Sequence, residues 1–147
     1  ASFLLIKGKI VRIVSMQKQR LDLIEMFVVS LGGGIGGSLR YLLSFLPIVG
    51  QWPLMTILIN WLGTLLLAIL GSYLSHRSSR LKRWQAFLGT GILGGFTTFS
   101  TMLLQTAQLT QSNIVMAGLY LVMTVVGGVL MIILGQYIGH VLCGERL

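Results

Sequence analysis

Apolar residues in this chain do not alternate with polar ones but gather in four long stretches, 27–46, 54–75, 85–109 and 114–142. Each holds about the 20 residues that a helix needs to cross ~30 Å of hydrocarbon. Pro47 and Pro53 bracket a turn around Gly50, the run from His76 to Arg83 makes a second connection, and 110–113 a third. Links this short predict that consecutive helices run antiparallel. Residues 1–25 differ, being mixed apolar and basic with no long apolar run. They read as a basic N-terminal tail or an extension ahead of Met26, with an interfacial amphipathic helix as the alternative. Residues 26–147 form one four-helix transmembrane domain.

Composition agrees with a bilayer as the solvent. Of 147 residues, 54% are hydrophobic and 10% charged, too little charge for the surface of a soluble domain of this length. The formal charge is +8, and all three acids, Asp22, Glu25 and Glu145, lie outside the apolar stretches. Nucleic acid is a poor explanation of that charge, because the basic residues flank the spans, where membrane proteins carry topogenic charge. Arg77, Arg80, Lys82 and Arg83 occupy the second connection, whereas the first and third hold no Lys or Arg. The tail is basic and Arg146 closes the chain. Both termini are therefore expected on the cytoplasmic side of a multi-pass protein of the plasma membrane.

Inside the spans the one obligate charge is Arg40, and no Asp or Glu accompanies it. Proton-coupled drug antiport depends on an intramembrane carboxylate, so that mechanism lacks its central residue. The same lack removes general acid and base pairs. His76 and His140 sit at helix ends without nearby Cys or carboxylate and read as interfacial, with no metal site of their own. Cys143 reads as an inert thiol. Gly89, Gly91 and Gly94 spell a dinucleotide fingerprint, but they follow no strand and lie inside an apolar span, so the pattern is discarded. Gly32, Gly33, Gly36 and Gly37 on the first helix, and Gly135 and Gly139 on the fourth, read as small faces for close helix packing. Arg40 lies one turn beyond Gly36 and so faces protein or water; it either snorkels to the interface or lines a pore vestibule.

The third span carries GTGILGGFTTFSTM, where Gly94 and Gly95 precede Thr97, Thr98, Phe99, Ser100 and Thr101. Paired glycines followed by hydroxylated and β-branched residues predict a broken helix at mid-membrane, with a plain kink as the alternative. A break exposes carbonyls to a cation and donors to an anion.

The strings GGGIGGSLRY (32–41), PLMTILINWLGTLL (53–66) and GTGILGGFTTFST (89–101) resemble, in order and spacing, the motif blocks of the Fluc (CrcB-type) fluoride channels. The resemblance covers essentially 26–142. It implies an antiparallel dimer of four-helix subunits, two fluoride pores, a structural sodium ion at the dimer centre and phenylalanine rings facing the ions. It assigns Asn60 to the pore, Arg40 to the end of the first helix, Phe99 to the first ring of the phenylalanine box, and Ser100 and Thr101 to its polar neighbours. Tyr120 and Thr124 match the polar track of the fourth helix. The backbone carbonyls of Gly94 and Thr97 match the sodium ligands.

Physical chemistry supports that reading of the residues. Fluoride holds its water tightly, so a pore must offer replacement donors, which the Asn60 amide and the hydroxyls of Ser100, Thr101 and Thr124 carry. The edge of an aromatic ring is partly positive, so Phe99 meets an anion without trapping it. Two positions depart from the family pattern: Met102 stands where a second phenylalanine belongs, and Gln105 where a glutamate is common. Methionine lacks the positive ring edge, so the pore lined by position 102 is expected to be weaker or silent. The strong charge bias also conflicts with one sequence inserting in both orientations. A heterodimer with a homologous subunit of opposite orientation is the expectation, a homodimer the alternative. Passive fluoride export is the leading functional expectation. A non-conducting partner subunit comes second and a small multidrug transporter third.

Overall fold

A computed structural model describes the backbone of residues 2–46, 53–75 and 84–144, and the side chains of 22–46, 53–74 and 84–144. Pro47, the turn around Gly50, the basic connection 76–83, Glu145 and Arg146 lie outside the described residues. The described chain is almost wholly helical: α1 (Ser2–Ser44), α2 (Leu54–Ser75), α3 (Gln85–Leu93, continued by Gly94–Phe96), α4 (Ser100–Ser112) and α5 (Ile114–Leu142). Four stretches are long and apolar enough to cross a membrane: Asp22–Ser44, Leu54–Leu74, Gln85–Ser112 and Ile114–Leu142. This is an all-α, multi-pass membrane protein, and its spans fall on the four apolar stretches of the sequence.

Two boundaries differ from the sequence reading. The backbone of the N-terminal tail continues as one helix with the first span, since α1 is unbroken from Ser2 to Ser44. The third connection is also shorter than 110–113. Helix α4 runs to Ser112, with the Thr110 hydroxyl bonded back to the Thr106 carbonyl (2.9 Å) and that of Ser112 to the Leu109 carbonyl (3.0 Å). Asn113 alone is extended, and its Oδ1 accepts the amides of Val115 and Met116, capping α5. An Asn cap of this kind stabilises a helix start by about 1 kcal/mol.

The spans associate as two close pairs. In one, α1 lies against α3 through the predicted glycine face. A Cβ placed on Gly32 would come within 2.7 Å of the Phe87 carbonyl, and one on Gly36 would run into the Ile92 carbonyl. In the other, α2 lies against α5: Gly135 meets Ala68 and Leu65, and Gly139 meets Ser72. Lipid supplies no hydrophobic drive between helices, so backbone approach at small residues holds these pairs together. Gly127 adds a contact that the glycine spacing did not reveal, for the Trp61 ring fills the space a side chain there would need.

The third span changes partner along its length. Helix α3 leans on α1, whereas α4 leans on α5, and the chain stops being helical between them. Beside this change lies a small core of Ile57, Met102 and Tyr120, with Leu54, Trp61, Leu109 and Leu121 packed around it. The outward face of α5, including Val122, Val126, Leu130 and Ile133, is exposed on the subunit, as expected of side chains that meet hydrocarbon or another subunit.

Candidate functional site

Helix α3 ends at Phe96, Thr97 is extended (φ −75°, ψ 156°), and α4 begins at Ser100. Hydrogen-bond competition accounts for the interruption. In an uninterrupted helix the Thr98 amide would bond the Gly94 carbonyl, and the Thr101 amide the Thr97 carbonyl. Here the Thr98 N–H donates instead to Asn60 Oδ1 (2.8 Å), while Asn60 Nδ2 donates to the Thr98 carbonyl (3.0 Å). The Thr101 N–H donates to the Thr98 hydroxyl oxygen (3.2 Å). Two side chains thus take the amides that the helical ladder would have used. Gly94 is left with a long contact from the Thr97 hydroxyl (3.5 Å), and the Thr97 carbonyl is released from the ladder.

The remaining groups fall on two sides of the break. On one side lies a cavity of about 240 Å³ lined by Arg40, Ser44, Thr56, Thr98, Thr101 and Gln105 among others. Arg40 Nε is buried there without a hydrogen-bond partner among the described residues. Gln105 Oε1 accepts the Tyr120 hydroxyl (2.8 Å). The Thr98 hydroxyl donates to that of Thr101 (2.9 Å), so the Thr101 proton stays available. Beyond the break, a cavity of about 320 Å³ is lined by Asn60, Thr64, Thr98, Phe99 and Thr124 among others. Thr98 belongs to both.

Most of the residues singled out from sequence meet here. Asn60, Phe99 and Thr124 share one cavity, and Arg40 and Thr101 share its neighbour. Phe99 is 70% exposed on the subunit, and Ser100 is exposed beside it. Met102 is only 4% exposed, packed in the core against Ile57 and Tyr120, with one side reaching the Asn60 cavity. Tyr120 is fully buried and meets the Arg40 cavity only through its hydroxyl, which donates to Gln105. The Thr124 hydroxyl donates to the Tyr120 carbonyl (2.7 Å), so its proton is committed and it offers lone pairs rather than a donor. Sequence reasoning missed three participants: Thr98, which Asn60 holds; Thr56, which lines the Arg40 cavity; and Trp61, whose indole N–H donates to the Thr124 carbonyl (3.2 Å). The four-residue spacing of Thr56, Asn60 and Thr64 on α2 was the available signal.

Among the described residues there is no group of three or more His, Cys, Asp or Glu able to hold a metal ion. The hard oxygens that could meet a cation are the released carbonyls of Gly94 and Thr97.

The arrangement is a stopped helix between two adjoining cavities, lined by Arg40 and by neutral polar groups. The family profile of the CrcB-like protein, Camphor Resistance (CrcB), matches residues 27–136. The chain belongs to the CrcB family. Among its CrcB relatives, a protein of Bacillus subtilis (strain 168) named "Fluoride-specific ion channel FluC 2" is 38% identical over 116 residues, covering 79% of this chain and 88% of the relative. One of Rhodococcus jostii (strain RHA1), "Fluoride-specific ion channel FluC 1", is 44% identical over 115 residues, covering 77% and 83%. One of Dichelobacter nodosus (strain VCS1703A), "Fluoride-specific ion channel FluC", is 37% identical over 119 residues, covering 78% and 95%. The CrcB match begins just after the basic tail and reaches into the fourth span, taking in Asn60, the 97–101 segment and Thr124.

Proposed function

We propose that this chain is a subunit of a passive fluoride channel that releases fluoride from the cytoplasm down its electrochemical gradient and so relieves fluoride toxicity. One observation carries the reading: in a chain whose relatives are named fluoride channels, the Asn60 amide holds the third span open on a path without a carboxylate. Without an intramembrane carboxylate, that path lacks the group on which proton-coupled antiport depends.

Arg40 and the donors around its cavity draw an anion to one mouth. Within the path the dehydrated ion meets the second Asn60 N–H, which Thr98 leaves unused, together with the Thr101 and Ser100 hydroxyls and the edge of Phe99. Each contact is weak enough to be left for the next. Reconstitution in liposomes with a fluoride electrode tests this: fluoride efflux far faster than chloride efflux is expected. Equal chloride efflux, or no fluoride efflux with the correct partner present, overturns it.

Phe99, Ser100 and the outer side of the Asn60 cavity lie open on the subunit, so a second subunit is needed to close the path. The partner proposed is a homologous chain of opposite orientation, both termini of this one being cytoplasmic. Support comes from the clustering of Arg77, Arg80, Lys82 and Arg83 and from the burial of Met102 where a second pore ring would stand. Co-expression with a homologous chain is expected to yield a mixed dimer; full activity of this chain alone, populated in both orientations, refutes the heterodimer and leaves a homodimer.

A structural sodium ion at the dimer centre completes the proposal. The Gly94 and Thr97 carbonyls suit it, being hard neutral oxygens released from the helical ladder. A bound cation offsets their negative ends and ties two subunits together.

A further inference from the structure

The two cavities above reach only Asn60 and Thr124, which lie in the first halves of α2 and α5. A third cavity, of about 520 Å³, continues from them between α2 and α5. Its lining includes Thr64, Ser72, Gln136 and His140, and it shares Thr64 and Ile132 with the Asn60 cavity. Just as Thr98 joins the first two cavities, these two residues join the second to the third.

The sequence supplies the lining as a matched pair of stripes. On α2, positions 56, 60, 64, 68 and 72 are Thr, Asn, Thr, Ala and Ser; on α5, positions 124, 128, 132, 136 and 140 are Thr, Gly, Ile, Gln and His. A four-residue step keeps each stripe beside one groove of a packed helix pair, and α2 and α5 are locked together along it at Gly127, Gly135 and Gly139. The Ser72 hydroxyl reaches the Gln136 carbonyl (3.4 Å) across the groove. Gly71 and Gly128 line it with no atom within 4 Å of where a Cβ would stand, so the space stays clear. From Thr56 to Ser72 the α2 stripe rises about 24 Å, most of the ~30 Å hydrocarbon thickness.

We infer that this furrow is the other half of the permeation path, carrying the anion from a mouth at Ser72, Gln136 and His140 past Thr64 to Asn60. That mouth lies at the end of α2 from which the basic connection 76–83 departs. The inference rests on the fluoride-channel reading, and the assay separates the two.

Efflux from liposomes holding the unaltered dimer is measured first; if fluoride does not move, it is the channel reading that fails. Given a conducting dimer, Thr64→Val removes a hydroxyl from the furrow at nearly constant volume. It is expected to slow fluoride efflux about tenfold, the cost of one hydrogen bond to a charged group. Thr64→Ser is expected to keep most of the flux. Both are expected to elute as dimers like the parent. A second arm places a thiol at the mouth, Gln136→Cys in a Cys143→Ser background, and labels it after reconstitution with a charged methanethiosulfonate reagent. Labelling, followed by mass, is expected to go to completion and to cut whatever flux the variant retains; a folded dimer already silent without label also supports the inference. Parental flux in Thr64→Val, a site that does not label, or labelling without loss of flux overturns it.

Discussion

At the scale of the residue, Asn60 has a structural task as well as any contact with an ion. Its amide satisfies both the N–H and the C=O of Thr98 inside the membrane, where an unpaired backbone group costs about 1–3 kcal/mol. Asn60→Ala is therefore expected to lose about 2–4 kcal/mol of stability as well as flux, read as earlier thermal unfolding in detergent and slower fluoride efflux. Phe99 differs, because its ring projects from the subunit and supports little of that subunit's own packing. Phe99→Ile is expected to lower fluoride efflux about tenfold or more, while the unfolding midpoint of the isolated subunit hardly moves. A parallel fall in both would place Phe99 in the fold rather than on the path.

At the scale of the element, the third span has two partners and pauses where it trades one for the other. Its α3 half needs the glycine face of α1, so Gly36→Leu is expected to abolish folded protein, because the obstruction is the Ile92 backbone rather than a flexible side chain. Yield of monodisperse protein checks this. The α2–α5 pair turns on Trp61, which fills the space over Gly127 and bonds the Thr124 carbonyl. Gly127→Ala is expected to cost about 1–3 kcal/mol through overpacking, and Trp61→Phe in the same chain to recover part of it by shrinking the ring. If the double variant is no more stable than the sum of the singles predicts, the two residues are not in the contact described.

The glycine faces of α1 and α5 were legible because period and residue size together dictate close approach in lipid. The engagement of Asn60 with Thr98 was not. A side chain 38 residues away took the amide of a segment whose own composition already disfavoured helix, and no local pattern states which polar group will face it. Likewise the place of Met102 in a motif did not state that α4 would pack it beside Tyr120 while one side still reaches the Asn60 cavity.

At the scale of the whole molecule, charge and assembly govern. Replacing Arg77, Arg80, Lys82 and Arg83, together with Lys7, Lys9, Arg12, Lys18 and Arg20 of the tail, by Gln removes the main charge asymmetry, so a C-terminal reporter is expected to appear on both sides of the membrane instead of one. Exchanging sodium for a bulky organic cation is expected to loosen the dimer and slow fluoride efflux. Unchanged dimer mass and efflux in sodium-free buffer would remove the cation from the proposal.

By itself the sequence determined that the chain lives in a bilayer, which stretches are apolar enough to span it, which faces are small enough for backbones to touch, and that no acid lies within those apolar stretches. These follow from transfer of side chains between water and hydrocarbon, which depends on composition and period alone. Tertiary structure alone decided which amides the break gives up, to which side chains, and which residues then share a cavity. Those outcomes depend on how packed helices are rotated about their axes, a property of neighbours rather than of neighbouring letters.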